Sequence, residues 1–288
     1  MSRTFFARSL TLIAVVCLAG CDAINLGVMQ AAGPVAEQQR HLYFLLAVVL
    51  IFVAGPVLVL TPIIAWHYRL SNKHNHFRPQ WDFSWWLEGL IWIPPIGIVI
   101  GLSVLLWTYT HRLDPYRPVV GTQPPLEIQA VALDWKWLFI YPGDHVATIN
   151  QLALPVGRPV RISITSGTVM QALLIPRLAG QIYAMAGMRT ELNLAASHAG
   201  TFRGENVQYN GDGFAKQKFD VLALSAADYR RWLARVHAAA RPLDQTAYAQ
   251  LFARTTPQPI FYSQAPPRLF QTILARPHAH DHTTEMHR

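Results

Sequence analysis

Residues 204–214, GENVQYNGDGF, set the oxygen-bearing side chains of Asn206, Gln208, Asn210 and Asp212 among three glycines, Gly204, Gly211 and Gly213. Glycines at this density mark tight turns. The run offers amide and carboxylate oxygens, which are hard donors, and it contains no Cys, His or Met to supply soft sulfur or imidazole to a metal such as copper. Three readings are open: a ligand site of unfamiliar composition, a site that has lost its ligands, or a turn between two strands.

The remaining candidates for chemistry are few. The chain has two cysteines. Arg3 and Arg8 precede the apolar run SLTLIAVVCLAG, which is too short to span a bilayer and reads as a bacterial export signal. It ends in Leu18-Ala-Gly-Cys21, which resembles the lipobox of bacterial lipoproteins, so cleavage before Cys21 and lipidation of its sulfur are expected. An uncleaved signal helix, or ordinary cleavage at a small residue, is the alternative. Processing at Cys21 removes Cys17 and converts Cys21 to a thioether, leaving no thiol for a disulfide or for a zinc, iron–sulfur or copper site. It also removes Arg3 and Arg8, lowering the formal charge from +8 to +6 (8 minus 2). No clustered Lys/Arg stripe accompanies that excess, so anionic lipid or a partner subunit is expected and nucleic acid is not. His278, His280, His282 and His287 form a tail with no apolar residue nearby except Met286; a disordered end is expected there rather than a metal site.

These candidates need elements to position them. Hydrophobic residues make up 52% of the chain and charged residues only 14%, which directs attention to membrane segments first. His41 to Trp66 contains no Asp, Glu, Lys or Arg and exceeds the roughly 20 residues a bilayer requires. Glu88 to Trp107 is the second span, with Pro94 and Pro95 predicting a kink in its early turns. Trp66, Trp81, Trp85, Trp86 and Trp107 fall near the expected interfaces. Between the spans, Arg69, Lys73 and Arg78 face a single acid, Asp82, which places the loop in the cytoplasm and both termini outside. Glu88, at the mouth of the second span, reads either as a solvated end cap or as a proton entry point.

Beyond the spans the pattern shortens. LEIQAVAL (126–133), HVATINQLAL (145–154), RPVRISITS (158–166), MQALLI (170–175), RTELNLAA (189–196) and FDVLALS (219–225) read as strands of a sandwich or small barrel. A helix follows, with Ser225 as its cap and Tyr229, Trp232, Leu233 and Val236 on one face. A shorter helix is expected around DQTAYAQLFAR (244–254). Trp135, Trp137 and Tyr141 alternate and read as strand and interface packing, against the loop of residues 204–214 or the surface of a partner.

An export signal, a two-helix hairpin and a following β domain together resemble subunit II of the haem-copper oxidases. WLEGLIWIPP, with Glu88, Trp92 and Pro95, resembles the start of that family's second helix. ALDWKWLFIYP resembles its aromatic segment, and VMQALLIPRLAGQIYAMAGMRTELNL the strand, turn and strand before its metal loop. The likeness implies an α+β membrane protein: a two-helix transmembrane hairpin, then a cupredoxin-like Greek-key β-sandwich or barrel, then a short C-terminal helical segment. The expected partition is a signal peptide over 1–20, a periplasmic lipid-anchored N-terminus over 21–40, and the hairpin over 41–111 with its cytoplasmic loop at about 67–87. The cupredoxin-like domain then covers 112–225, an aromatic-rich helical segment 226–276, and the His-rich tail 277–288.

In the members of that family that oxidise cytochrome c, the loop carries a dinuclear copper centre. The resemblance lays its ligand positions on Gln171, Asn206, Asn210, Phe214 and Gln217, with Gln208 where a glutamate offers only its backbone carbonyl. Amides cannot replace bridging thiolates, and a phenyl ring cannot ligate. The pattern implies the copper-less branch, the bo-type ubiquinol oxidases, with no catalytic residue, haem or metal on this chain. Haem and copper are then expected in a partner subunit I, ubiquinol as the substrate of the complex, further small membrane subunits and membrane lipid as companions, and Glu88 at the cytoplasmic entrance of a proton channel. Two alternatives are a cytochrome c oxidase subunit with an altered copper site and a free-standing cupredoxin-like lipoprotein acting as a binding module.

Overall fold

A computed structural model describes residues 27–72 and 80–275. Cys21, Lys73, Arg78 and the tail histidines therefore lie outside the described residues. The chain divides into two compact units, one formed by residues 39–114 and one that includes residues 27–38 together with 115–275.

The first unit contains most of helix α1 (Pro34–His67) and all of α2 (Trp85–Arg112). Each is long and apolar enough to cross a membrane. The helical hydrogen-bond ladder suits this setting because it satisfies the backbone without water. α1 begins seven residues before His41, the start of the expected span, and α2 runs unbroken through Pro94 and Pro95.

The second unit is a sandwich of two sheets. Its strands are β1 (Leu126–Leu133), β2 (Lys136–Tyr141), β3 (Val146–Ile149), β4 (Gln151–Pro155), β5 (Val160–Ser166), β6 (Gln171–Ile175), β7 (Ala179–Ala184), β8 (Thr190–Leu194), β9 (Gly200–Asn206), β10 (Lys218–Leu224) and β11 (Ile260–Tyr262). One sheet runs β11-β3-β2-β1-β5-β8 and the other β4-β10-β9-β6-β7. The segment 145–154, expected as one strand, is broken at Asn150, whose positive φ of 56° turns the chain from β3 in the first sheet to β4 in the second. The helical segments are α3 (Ala226–His237), α4 (Gln245–Gln250) and α5 (Leu269–Leu274). Ser225 caps α3 by accepting from the Asp228 N–H at 3.1 Å, while Tyr229, Trp232 and Val236 are buried and Leu233 is half-buried. The region expected to be helical also contributes β11, which pairs with β3 at the edge of the first sheet.

Two cores explain why β1 and β2 are buried on both faces. Ala130, Ala132, Trp137, Phe139 and Tyr141 point between the sheets, against Phe219, Val221 and Trp232. The intervening Val131, Leu133, Leu138 and Ile140 point the other way, against Leu243, Tyr248, Phe270 and Ile273 from the C-terminal segment. A strand covered on both sides loses the apolar–polar alternation of a half-exposed one.

Lys136 lies on that second face and is buried, donating from Nζ to the carbonyls of Leu251, at 3.0 Å, and Ala253. Burial drives its pKa below the usual 10.5, against the opposing pull of Asp134. Between the lowered value and 10.5 the unfolded chain binds the proton more strongly, so stability rises with pH in that window. Tyr141, Tyr229 and Tyr262, whose pKa values burial raises above 10.0, act with the opposite sign: their contribution is complete below 10.0 and is lost as pH climbs beyond it. The urea midpoint of the wild-type chain is expected to rise as the pH climbs toward about 10, and Lys136→Met to flatten that rise. A pH-independent difference between the two proteins would contradict the assignment.

Candidate functional site

Four of the positions singled out in the sequence meet at one end of the sandwich. Gln171 opens β6, Asn206 closes β9, Asn210 lies in the loop beyond it, and Gln217 precedes β10 after a 3-10 turn over Phe214–Lys216. Gln171, Asn206 and Gln217 are buried and Asn210 is half-buried.

Backbone groups fix the direction of three amides in the cluster, and Gln217 fixes that of the fourth, Asn210. Asn206 Oδ1 accepts from the N–H groups of Ala172 and Gln208, both at 3.0 Å, so its Nδ2 must face the other way. That Nδ2 donates to the Gln208 carbonyl at 2.7 Å and to Gln217 Oε1 at 3.1 Å. Gln217 Oε1 also accepts from Asn210 Nδ2 at 2.7 Å. The Gln217 Nε2 group donates in turn to Gln171 Oε1 and, at 3.3 Å, to the Leu133 carbonyl. Gln171 Nε2 ends the chain on the same Leu133 carbonyl, at 3.1 Å, and on Thr168 Oγ1 at 3.3 Å. Reversing any one amide would set donor against donor or acceptor against acceptor, so the network has one orientation. Asn210 Oδ1 is buried and has no hydrogen-bond partner among the described residues.

The loop's glycines serve different ends from those their density suggests. Only Gly211, with φ of 103°, occupies a conformation that side chains disfavour. Gly204 lies within β9 opposite Phe219, and a Cβ there would overlap the Phe219 ring. A Cβ on Gly213 would overlap the ring of Trp135. Trp135 occupies the two-residue turn between β1 and β2 with φ of 63° and donates from Nε1 to the Asn210 carbonyl at 3.2 Å. A positive φ costs a non-glycine residue about 1–2 kcal/mol, and here it aims the indole across the loop.

The cluster does not fit a dinuclear copper centre. Its amide oxygens are hard donors, all but Asn210 Oδ1 already engaged in hydrogen bonds, and its amide nitrogens have no lone pair to offer a metal. Phe214 lies beside Tyr209, ring centroids 5.7 Å apart, and Gln208 enters only through its backbone. Among the described residues no group of three or more His, Cys, Asp or Glu is placed to hold a metal ion. Leu133 and Thr168 were not legible as members of the site, since they contribute a carbonyl and a hydroxyl from other elements; of the three aromatics expected to pack against the loop or a partner surface, Trp135 packs against the loop. Trp137 and Tyr141 are core residues, Trp137 near Phe219 and Tyr141 with its hydroxyl between the Ala153 N–H and carbonyl at 2.8 and 3.0 Å. Glu88 belongs to the other unit, in the first turn of α2, where Oε2 accepts from Trp92 Nε1 at 2.9 Å. Glu88 and Trp92, four residues apart, are thus a hydrogen-bonded pair on one helix face.

No protein-family model matches the chain. It is 40% identical over 266 residues to cytochrome bo(3) ubiquinol oxidase subunit 2 of Pseudomonas putida, covering 92% of this chain and 84% of that one. It is also 40% identical to ubiquinol oxidase subunit 2 of Acetobacter aceti, covering 90% of this chain and 84% of that one. Among solved structures, the periplasmic domain of subunit II of cytochrome oxidase (CoxB) of Bradyrhizobium japonicum is similar, with 19% identity and a TM-score of 0.38 over 46% of this chain and 99% of that one.

Proposed function

The chain belongs to the subunit 2 family of ubiquinol oxidases, and from that premise we propose that it is the cofactor-free, lipid-anchored subunit II of a proton-translocating quinol oxidase in a bacterial cytoplasmic membrane. Cys21 carries the lipid, the sandwich faces the periplasm, and subunit I holds the haem and copper at which electrons from ubiquinol reduce oxygen. The observation that carries this reading is the amide network: of the five positions that the resemblance gives to copper ligands, four hold one another and the fifth, Phe214, cannot ligate, so an electron has no metal on this chain to enter by. The exposed apolar surfaces of α1 and α2 support assembly with lipid and further subunits, as do Gly97 and Gly101, where an added Cβ would meet no atom within 4 Å.

The test is purification in mild detergent with companion subunits, followed by haem and copper analysis and a comparison of electron donors. Quinol is expected to support oxygen consumption and reduced cytochrome c to fail. Stoichiometric copper on this chain, or rapid cytochrome c oxidation, would overturn the proposal.

Glu88 is proposed to admit protons at the cytoplasmic side. A carboxylate can exchange protons with bulk water and pass them to a neighbouring polar chain. Glu88→Gln keeps an acceptor for Trp92 but cannot exchange a proton, and Glu88→Ala keeps neither. Both are expected to slow oxygen turnover several-fold in an enzyme with normal haem content. Unchanged turnover and pumping in both variants would remove the role.

A further inference from the structure

The period of two along β9 and β10 sends Phe202, Gly204, Phe219 and Val221 inward and leaves Thr201, Arg203, Lys218 and Asp220 on the outer face. Across from this face lies the segment 256–259, held by Asn150, whose Nδ2 donates to the Pro257 carbonyl at 2.9 Å while its Oδ1 accepts from the Trp137 N–H at 2.9 Å. Between the two is a groove of about 570 Å³, with Lys216 at the 3-10 turn completing its lining.

The charges in this groove are unbalanced. Arg203, Lys216 and Lys218 line it against one carboxylate, Asp220, which stands opposite Arg203 in the ladder. Lys218 lies 4.0 Å from Glu205, the outer limit of an ion pair, and neither Arg203 nor Lys216 has an ion pair among the described residues. Cations gathered around a concavity without matching carboxylates raise the local concentration of anions. Guanidinium and ammonium groups, joined by the hydroxyls of Thr201 and Thr256, form a donor set suited to phosphate oxygens. The volume lies within the roughly 300–1,000 Å³ typical of small-molecule sites, which is more than a bare phosphate ion fills.

We infer that the groove between the β9–β10 face and the segment 256–259 binds a phosphate ester, through Arg203, Lys216 and Lys218. Asp220 opposes the ligand's charge and tunes its affinity downward. The same chemistry is offered by a soluble phosphate ester and by the headgroup of an anionic phospholipid.

The probe is glycerol phosphate, titrated calorimetrically at low ionic strength into the full chain reconstituted in phosphatidylcholine nanodiscs. Saturable binding is expected, with neutral glycerol giving none. Arg203→Ala and Lys216→Ala should each weaken it roughly tenfold, the loss of one charge-assisted contact. Asp220→Asn should tighten it several-fold, and Arg230→Ala, outside the groove, should change nothing. Repeating the titration in phosphatidylglycerol nanodiscs separates the sources: loss of the glycerol phosphate site identifies the headgroup as occupant, and its persistence identifies a soluble ester. Absence of saturable binding in the neutral nanodiscs, or an affinity indifferent to the Arg203, Lys216 and Asp220 substitutions, would overturn the inference.

Discussion

Gln217→Leu is expected to lower the unfolding temperature of the sandwich by roughly 5–15 °C, a cost of about 2–5 kcal/mol. Leucine nearly preserves the volume, so the loss comes from hydrogen bonds rather than from a cavity. Gln217 Oε1 is the acceptor for Asn210 Nδ2, and its Nε2 is the donor to Gln171 Oε1. Without it, Gln171 Oε1 is left unpaired in the interior and Asn210 Nδ2 loses its partner at a half-buried position, each at about 1–3 kcal/mol. Asn206 suffers less because its Nδ2 retains the Gln208 carbonyl. The network also makes a prediction about additivity. Gln171→Leu alone leaves Gln217 Nε2 without one acceptor, but in a chain that already carries Gln217→Leu it removes a group that has been stranded. The double substitution should therefore cost clearly less than the two single costs summed. Thermal unfolding of the purified full chain, followed by tryptophan fluorescence, measures all three. A single-variant shift below about 2 °C, or strict additivity, would show that the amides are not a coupled network.

The sequence exposes this cluster only as a list of positions. Gln171, Asn206, Asn210 and Gln217 can be named because the resemblance assigns those places to ligands, yet residue types alone do not say that the four amides close on one another. Their closure depends on the Leu133 carbonyl and on two backbone N–H groups, which every residue possesses and no pattern advertises. The apolar helices and the strand LEIQAVAL are legible because composition and length act locally, and the helix after Ser225 because its cap and apolar face do so too. The break at Asn150 is not, since an asparagine in the left-handed region leaves the alternation of HVATINQLAL intact on both sides. The strand β11 is hidden for a different reason: three residues between prolines and a helix become a strand only because β3 offers them an edge. Gly204 shows how density misleads, since it serves the Phe219 ring rather than a turn.

Gly213→Ala tests the other device that holds the loop, the indole of Trp135. A methyl group there would overlap Cδ2, Cγ and Cε3, where the two rings of the indole join, and the indole cannot simply move aside. Its backbone is fixed by the two-residue turn between β1 and β2, and its Nε1 is held by the Asn210 carbonyl. Relief requires either lifting the loop, which breaks that bond and disturbs Asn210 in the network, or rotating the ring out of its packing. Either route costs about 1–3 kcal/mol or more, as overpacking does elsewhere, and the unfolding temperature should fall by roughly 3–10 °C. The identity of the clash is tested by removing its other half. In a Trp135→Gly background the turn keeps a residue at ease with positive φ, the ring is gone, and Gly213→Ala should change stability by no more than about 0.5 kcal/mol. If instead the alanine costs as much without the indole as with it, the requirement for glycine at 213 lies in the loop's own backbone, and Trp135 is not what closes it.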